Sequence, residues 1–198
     1  SLGLVGSEMC IRDRHVTVDG VEVSALSDRE RVARLALISQ EVHVFSGTLR
    51  EDLALAAPAA TDAQMQAALD RVGFPELRDG LDTEVGARGQ QLDPVAAQQL
   101  ALARIFLLDP KVVIMDEATA EAGTSGAAVL TDAAQAVTQS RSALVVAHRL
   151  DQAYDADEIL VMDSGRIIER GNHTQLVARG GQYARLWAAW KKGRDKAQ

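Results

Sequence analysis

The run Val112-Val113-Ile114-Met115, closed by Asp116-Glu117, constrains this chain more than any other stretch. Four consecutive apolar residues leave no polar face, so a strand here must be covered on both sides, as strands of parallel sheets are. Lys111 to Met115 therefore reads as a buried strand ending in two adjacent carboxylates. Leu35 to Ser39, Ala143 to Ala147 and Glu158 to Met162 are further apolar runs of strand length. Helical patterns separate them. Asp93 to Leu108 has apolar residues at helical spacing and stops at Asp109-Pro110, and Ser125 to Gln139 reads as a second helix. Strand–helix–strand alternation with continuous apolar strands predicts an α/β fold with a mostly parallel sheet flanked by helices.

The remaining elements carry local signals. Val16-Thr17-Val18 and Val21-Glu22-Val23 flank Asp19-Gly20, a two-residue hairpin turn. Gly47 to Leu55 and Thr61 to Val72 read as helices, the second opened by Thr61 with Gln64 in a capping box. Asp163-Ser164-Gly165 turns the chain into Arg166 to Glu169, and two short helices close it, the first capped in Asn172-His173-Thr174. With 198 residues, 47% of them hydrophobic and 25% charged, the chain suffices for one packed domain. Residues 1–14 fit nothing that follows and resemble adaptor-derived translation, so they are set aside as artefact or disorder; the domain is expected over 15–198. The formal charge of −7 argues against a nucleic-acid partner. A single cysteine, Cys10, fits a reducing compartment, and the excess of 17 Arg over 4 Lys fits a GC-rich bacterial genome. No run approaches the roughly 20 apolar residues that cross a bilayer.

The chemistry gathers at strand ends. In an open α/β sheet, ligands bind beyond the carboxyl ends of the strands. Asp116 there can hold Mg²⁺ directly or through water, and Glu117 can polarise a water for attack on a γ-phosphate. The same pair also fits a strand ending in two solvated acids. His148 follows a second apolar strand and can donate to a γ-phosphate oxygen, although a lone strand-end histidine is also an ordinary surface residue. Gln40 closes a third strand and offers an amide oxygen to Mg²⁺ or to water. His15, His43, Trp187 and Trp190 carry plainer readings: surface histidines, and one face of an amphipathic helix.

Taken together, LALISQEVHVFSGTLREDL, TEVGARGQQLDPVAAQQLALAR, VVIMDEAT, ALVVAHRL and ILVMDSGRIIERGNHTQL resemble an exporter-type ABC nucleotide-binding domain, over roughly His15 to Trp190. They correspond to the Q-loop, signature region, Walker B, H-loop and C-terminal segment, in that order. The resemblance implies a P-loop NTPase-like ABC ATPase core, incomplete at the N-terminus, with a helical signature subdomain over about 48–108. It implies ATP and Mg²⁺ as cofactors, with Glu117 and His148 catalytic and Gln40, Asp116 and His148 on the chain's own Mg·ATP. It also implies a second nucleotide-binding domain as partner. A membrane domain would contact the Q-loop and the Thr83-Glu84-Val85-Gly86-Ala87-Arg88-Gly89 loop, where Ala87 replaces a common acid. The setting would be the cytoplasmic face of the cell membrane, and the task ATP-driven export.

Three departures qualify this resemblance. No G-x-x-x-x-G-K-[ST] occurs in the chain; the family places it about twenty residues before Asp19-Gly20, so the 198 residues alone are expected to bind Mg·ATP weakly. Where the family has Leu-Ser-Gly-Gly-Gln, this chain has Leu92-Asp93-Pro94-Val95-Ala96. Asp93 reads as an N-cap and Pro94 as the first helical residue, a good helix start and a poor anion site. A carboxylate about 4 Å from phosphate is repelled by about 1 to 4 kcal/mol. Gly123 stands where the D-loop usually has an aspartate. The pattern implies a heterodimer with one competent and one degenerate site. Two other readings are a soluble ABC ATPase without membrane domains, and a non-catalytic remnant that only pairs with a partner.

Overall fold

The computed structural model describes residues 15–39, 42–116, 124–147 and 150–195. Its first element is a hairpin, β1 (Thr17–Val18) paired antiparallel with β2 (Val21–Glu22). The turn needs two residues with positive φ, and Asp19 (52°) and Gly20 (75°) supply them, as the Asp-Gly pair predicts. A helix that the sequence reading did not include follows: α1, Asp28–Arg34. Ser27 caps it and Glu30 returns to the Ser27 backbone, a complete capping box. None of its residues is buried, so it has no apolar stripe by which periodicity could find it.

The centre is a three-stranded parallel sheet in the order β3 (Leu35–Ile38), β6 (Val112–Asp116), β7 (Ser142–Val146). The order β3-β6-β7 is built by helical crossovers, as parallel pairing requires. Between β3 and β6 lie β4 (Gly47–Thr48), α2 (Leu49–Ala56), α3 (Asp62–Arg71), β5 (Glu84–Val85) and α4 (Pro94–Leu108). Between β6 and β7 lies α5 (Thr124–Thr138). The chain ends with the antiparallel pair β8 (Ile159–Asp163) and β9 (Arg166–Gly171), then α6 (His173–Arg179) and α7 (Gln182–Asp195). Asn172 caps α6 in a box with Gln175, as expected.

Gly47 is not helical. It pairs with Val85 in the β4–β5 ribbon, and the helix starts two residues later behind the Thr48 cap. The helices of the 48–108 stretch share one core with the sheet: Leu53, Leu69 and Leu100 form a contiguous cluster with Ala36, Val113 and Met115. A smaller cluster of Ile159, Leu176 and Tyr183 supports the C-terminal part. Trp187 packs against that cluster and stacks on Trp190 at 4.9 Å, which makes the tryptophans a packed helix face.

The sheet is covered more on one face than the continuous apolar strands suggest. Ala36, Ile38, Val113 and Met115 point into the core. Register sets Leu37, Ile114 and Leu144 side by side on the opposite face, where Leu37 is 62% and Leu144 54% exposed. Among the described residues, no helix is long and apolar enough to cross a membrane.

Candidate functional site

Register decides what the sheet presents at its carboxyl edge. Ile38 lies beside Met115, and Met115 beside Val145, so β3 ends one residue short of β6 and β7, which run on to the Asp116–Val146 pair. Asp116 is the last residue of β6, paired with Val146 of β7. Its carboxylate is exposed and has no hydrogen-bond or ion-pair partner among the described residues. A free carboxylate at this edge suits a hard cation such as Mg²⁺, which takes one or two carboxylates and leaves its other positions to water and phosphate. Among the described residues no three His, Cys, Asp or Glu side chains converge, so a closed protein cage for a metal is not found there. Gln40, Glu117, Gly123 and His148 lie outside the described residues. The strands that lead to Gln40, Glu117 and His148 in sequence end within one residue of one another.

The signature position is a capped helix start. Asp93 is extended (φ −66°, ψ 164°), its Oδ1 accepts the Ala96 N–H at 2.8 Å, and Pro94 opens α4. Ala96 is itself buried, Leu92 leans on the core and Val95 is half-buried. Of these five residues, only Asp93 and Pro94 face solvent. The helix end that would meet an anion thus shows a carboxylate already bonded to one of its free N–H groups. Asp93→Ala is expected to lower the stability of the chain by about 1 kcal/mol, and Asp93→Ser to leave it nearly unchanged, in urea denaturation.

The Thr83–Gly89 loop is fastened to the segment that leads into α2. Leu49 N–H donates to the Thr83 carbonyl at 2.9 Å, and Ala87 N–H to Ser46 Oγ at 3.1 Å. Gln91 Nε2 donates to the Gly86 carbonyl at 2.9 Å. Gly86 is required there: its φ is +80°, and a Cβ would stand 2.8 Å from the Phe45 carbonyl oxygen. Val85 and Gly86 are buried, which leaves Ala87 and Arg88 exposed at the tip.

Sequence reasoning passed over one feature beside this loop. Asp52 of α2 is 1% exposed and is gripped by Arg104 of α4, with Nε to Oδ1 at 2.6 Å and Nη2 to Oδ2 at 2.5 Å. The available signal was a lone cation inside the apolar run Leu100-Ala101-Leu102-Ala103-Arg104-Ile105-Phe106. A charge on a core-facing helix needs a partner. His43, read as a surface residue, is exposed, with its ring edge-on to Phe45 at 4.8 Å; His15 is exposed too, 3.4 Å from Glu22.

A parallel α/β sheet with an exposed carboxylate at its carboxyl edge belongs with folds that place ligands at strand ends. The family model described as ABC transporter matches residues 4–120, more than half of the chain, and the match starts within the stretch set aside as 1–14. The chain belongs to the ABC transporter family. It is 40% identical over 178 residues to a multidrug efflux ATP-binding/permease protein of Mycobacterium tuberculosis, covering 88% of this chain and 15% of that protein. It is 36% identical over 183 residues to the ATP-dependent lipid A-core flippase of Haemophilus ducreyi, covering 90% and 31% respectively. An ABC transporter ATP-binding protein of Bacillus subtilis is 38% identical over 175 residues, covering 86% and 29%. The chain thus spans less than a third of the length of these relatives.

Proposed function

We propose that this chain is the ATP-binding and ATP-hydrolysing module of an ABC exporter, working at the cytoplasmic face of the cell membrane. The observation that carries the reading is that β3, β6 and β7 end within one residue of a common level, with the Asp116 carboxylate, unpartnered among the described residues, on the middle strand. Gln40, Glu117 and His148 follow those strand ends in sequence. In the proposed division of labour, Asp116 and Gln40 hold Mg²⁺, which supplies charge neutralisation on the phosphates. Glu117 accepts the proton of the attacking water, and His148 donates a hydrogen bond to the γ-phosphate and orients that water.

The capped helix start at Asp93 supports a heterodimer with one competent and one degenerate site. This subunit brings its strand-end residues to the first and the altered Leu92–Ala96 segment to the second, with Gly123 at the D-loop position. Its partner carries the intact signature. The exposed tip Ala87-Arg88, together with the segment after Gln40, is the surface for the membrane domain. Nucleic acid is not a partner in this reading. Asp116→Asn in the intact transporter is expected to raise the Mg²⁺ concentration for half-maximal ATP turnover and to lower the maximum. An unchanged Mg²⁺ response in purified, reconstituted transporter would overturn the assignment.

A further inference from the structure

We infer that Phe45 anchors the surface that meets the membrane domain, and that the facing segment lays an apolar side chain on its ring and a carboxylate against Arg88. The inference rests on the membrane-domain surface proposed for the Ala87-Arg88 tip and the chain beside it. Phe45 is 44% exposed, yet both its backbone and its ring are held. Its N–H donates to Asp52 Oδ2 at 3.0 Å, and its carbonyl oxygen closes on Gly86, where a Cβ would stand 2.8 Å away. The Arg104 guanidinium backs the ring at 5.3 Å from its centroid, and the His43 ring stands edge-on at 4.8 Å. Arg104 is fixed in turn by the Asp52 carboxylate and by the His43 carbonyl, which accepts from Nη1 at 2.9 Å.

The packing of α2 on α4 does not call for this arrangement. Leu49 and Leu53 already share a core with Leu100, Leu102 and Ala103. A buried ion pair seldom stabilises more than an apolar pair of similar volume; what it can supply is a specified position. Here the position specified is that of a ring facing solvent. An aromatic ring ordered before contact loses little entropy on binding, and such rings serve as interface anchors. The neighbouring cation completes the patch. Ala87 N–H donates to Ser46 Oγ at 3.1 Å, so the tip that carries Arg88 lies along the Phe45-Ser46 backbone. Arg88 is exposed and has no ion-pair or hydrogen-bond partner among the described residues. The acids nearest to it in sequence do not serve it: Glu84 forms no ion pair with it, and Asp93 accepts the Ala96 N–H. A facing carboxylate supplies the counter-charge that the chain itself leaves out. One ring and one cation side by side suit a short protein segment bearing an apolar and an acidic side chain.

The test uses the intact transporter in membranes, with the photo-reactive residue p-benzoyl-phenylalanine in place of Phe45 and, separately, in place of Ala87. Both positions are expected to crosslink to the membrane domain, and the adduct from position 45 to lie on a peptide that carries Asp or Glu. Arg88→Glu is expected to lower the crosslink from position 45 by about tenfold, because like charges then face each other, and Arg88→Lys to leave it nearly unchanged. A crosslink from position 45 to the second nucleotide-binding domain, or an undiminished yield with Arg88→Glu, would overturn the inference. If position 87 crosslinks to the membrane domain and position 45 does not, Phe45 is no anchor and the surface reading stands. If neither crosslinks there, the surface reading fails and the anchor role goes with it.

Discussion

Glu117→Gln in the intact transporter is expected to lower ATP turnover by about 10²- to 10⁴-fold while leaving nucleotide binding in place. The substitution keeps the shape and hydrogen-bonding reach of the side chain and removes only its capacity to take a proton. Asp116 cannot take over, because its carboxylate is assigned to the cation. In a heterodimer with one degenerate site the effect is not diluted: the site that uses Glu117 is the one that turns over. Turnover reduced by less than about threefold would favour a chain that pairs with a partner without doing chemistry, well short of the range for a lost general base. ATP binding lost together with turnover would assign Glu117 to ground-state binding instead.

Arg104→Ala carries the largest expected cost to folding, roughly 3 to 5 kcal/mol in urea denaturation. Its removal leaves the Asp52 carboxylate, 1% exposed, with the Phe45 N–H as its remaining described hydrogen-bond partner. A buried carboxylate facing one neutral donor keeps most of its desolvation cost and loses its compensation. The double variant Asp52→Leu with Arg104→Met removes both charges and fills similar volume. It is expected to recover most of the lost stability, because replacing a buried pair as a unit is nearly neutral or better. A loss below about 1 kcal/mol for the single variant would place the pair in the range of exposed ion pairs.

Sequence-legible features were those whose signal is local. Asp19-Gly20, the Thr61–Gln64 box and the Asp93-Pro94 start each specify backbone geometry within four residues, and each is found as expected. Where a helix lacks an apolar face the reading failed: α1 has the Ser27–Glu30 box yet buries nothing. Gly47 was misplaced because its pairing with Val85 is a contact across 38 residues, invisible in a helical window. The Asp52–Arg104 pair spans 52 residues, and nothing short of the packing of α2 on α4 brings it together. The position of Asp116 at a strand end was legible because the apolar run Val112–Met115 stops there. The uneven cover of the sheet was not: an apolar strand shows that burial is available, and Leu37 and Leu144 remain exposed on one face.

The most direct test of this account is a structure of the intact transporter trapped with Mg·ATP, by way of the Glu117→Gln variant. Asp116 and Gln40 should then stand within direct or one-water reach of a metal at about 2.1 Å from its oxygen ligands. The residue at 117 and His148 should face the γ-phosphate on the same edge of the sheet. A metal–triphosphate bound elsewhere, or these four side chains turned to different sides of the molecule, would contradict the account.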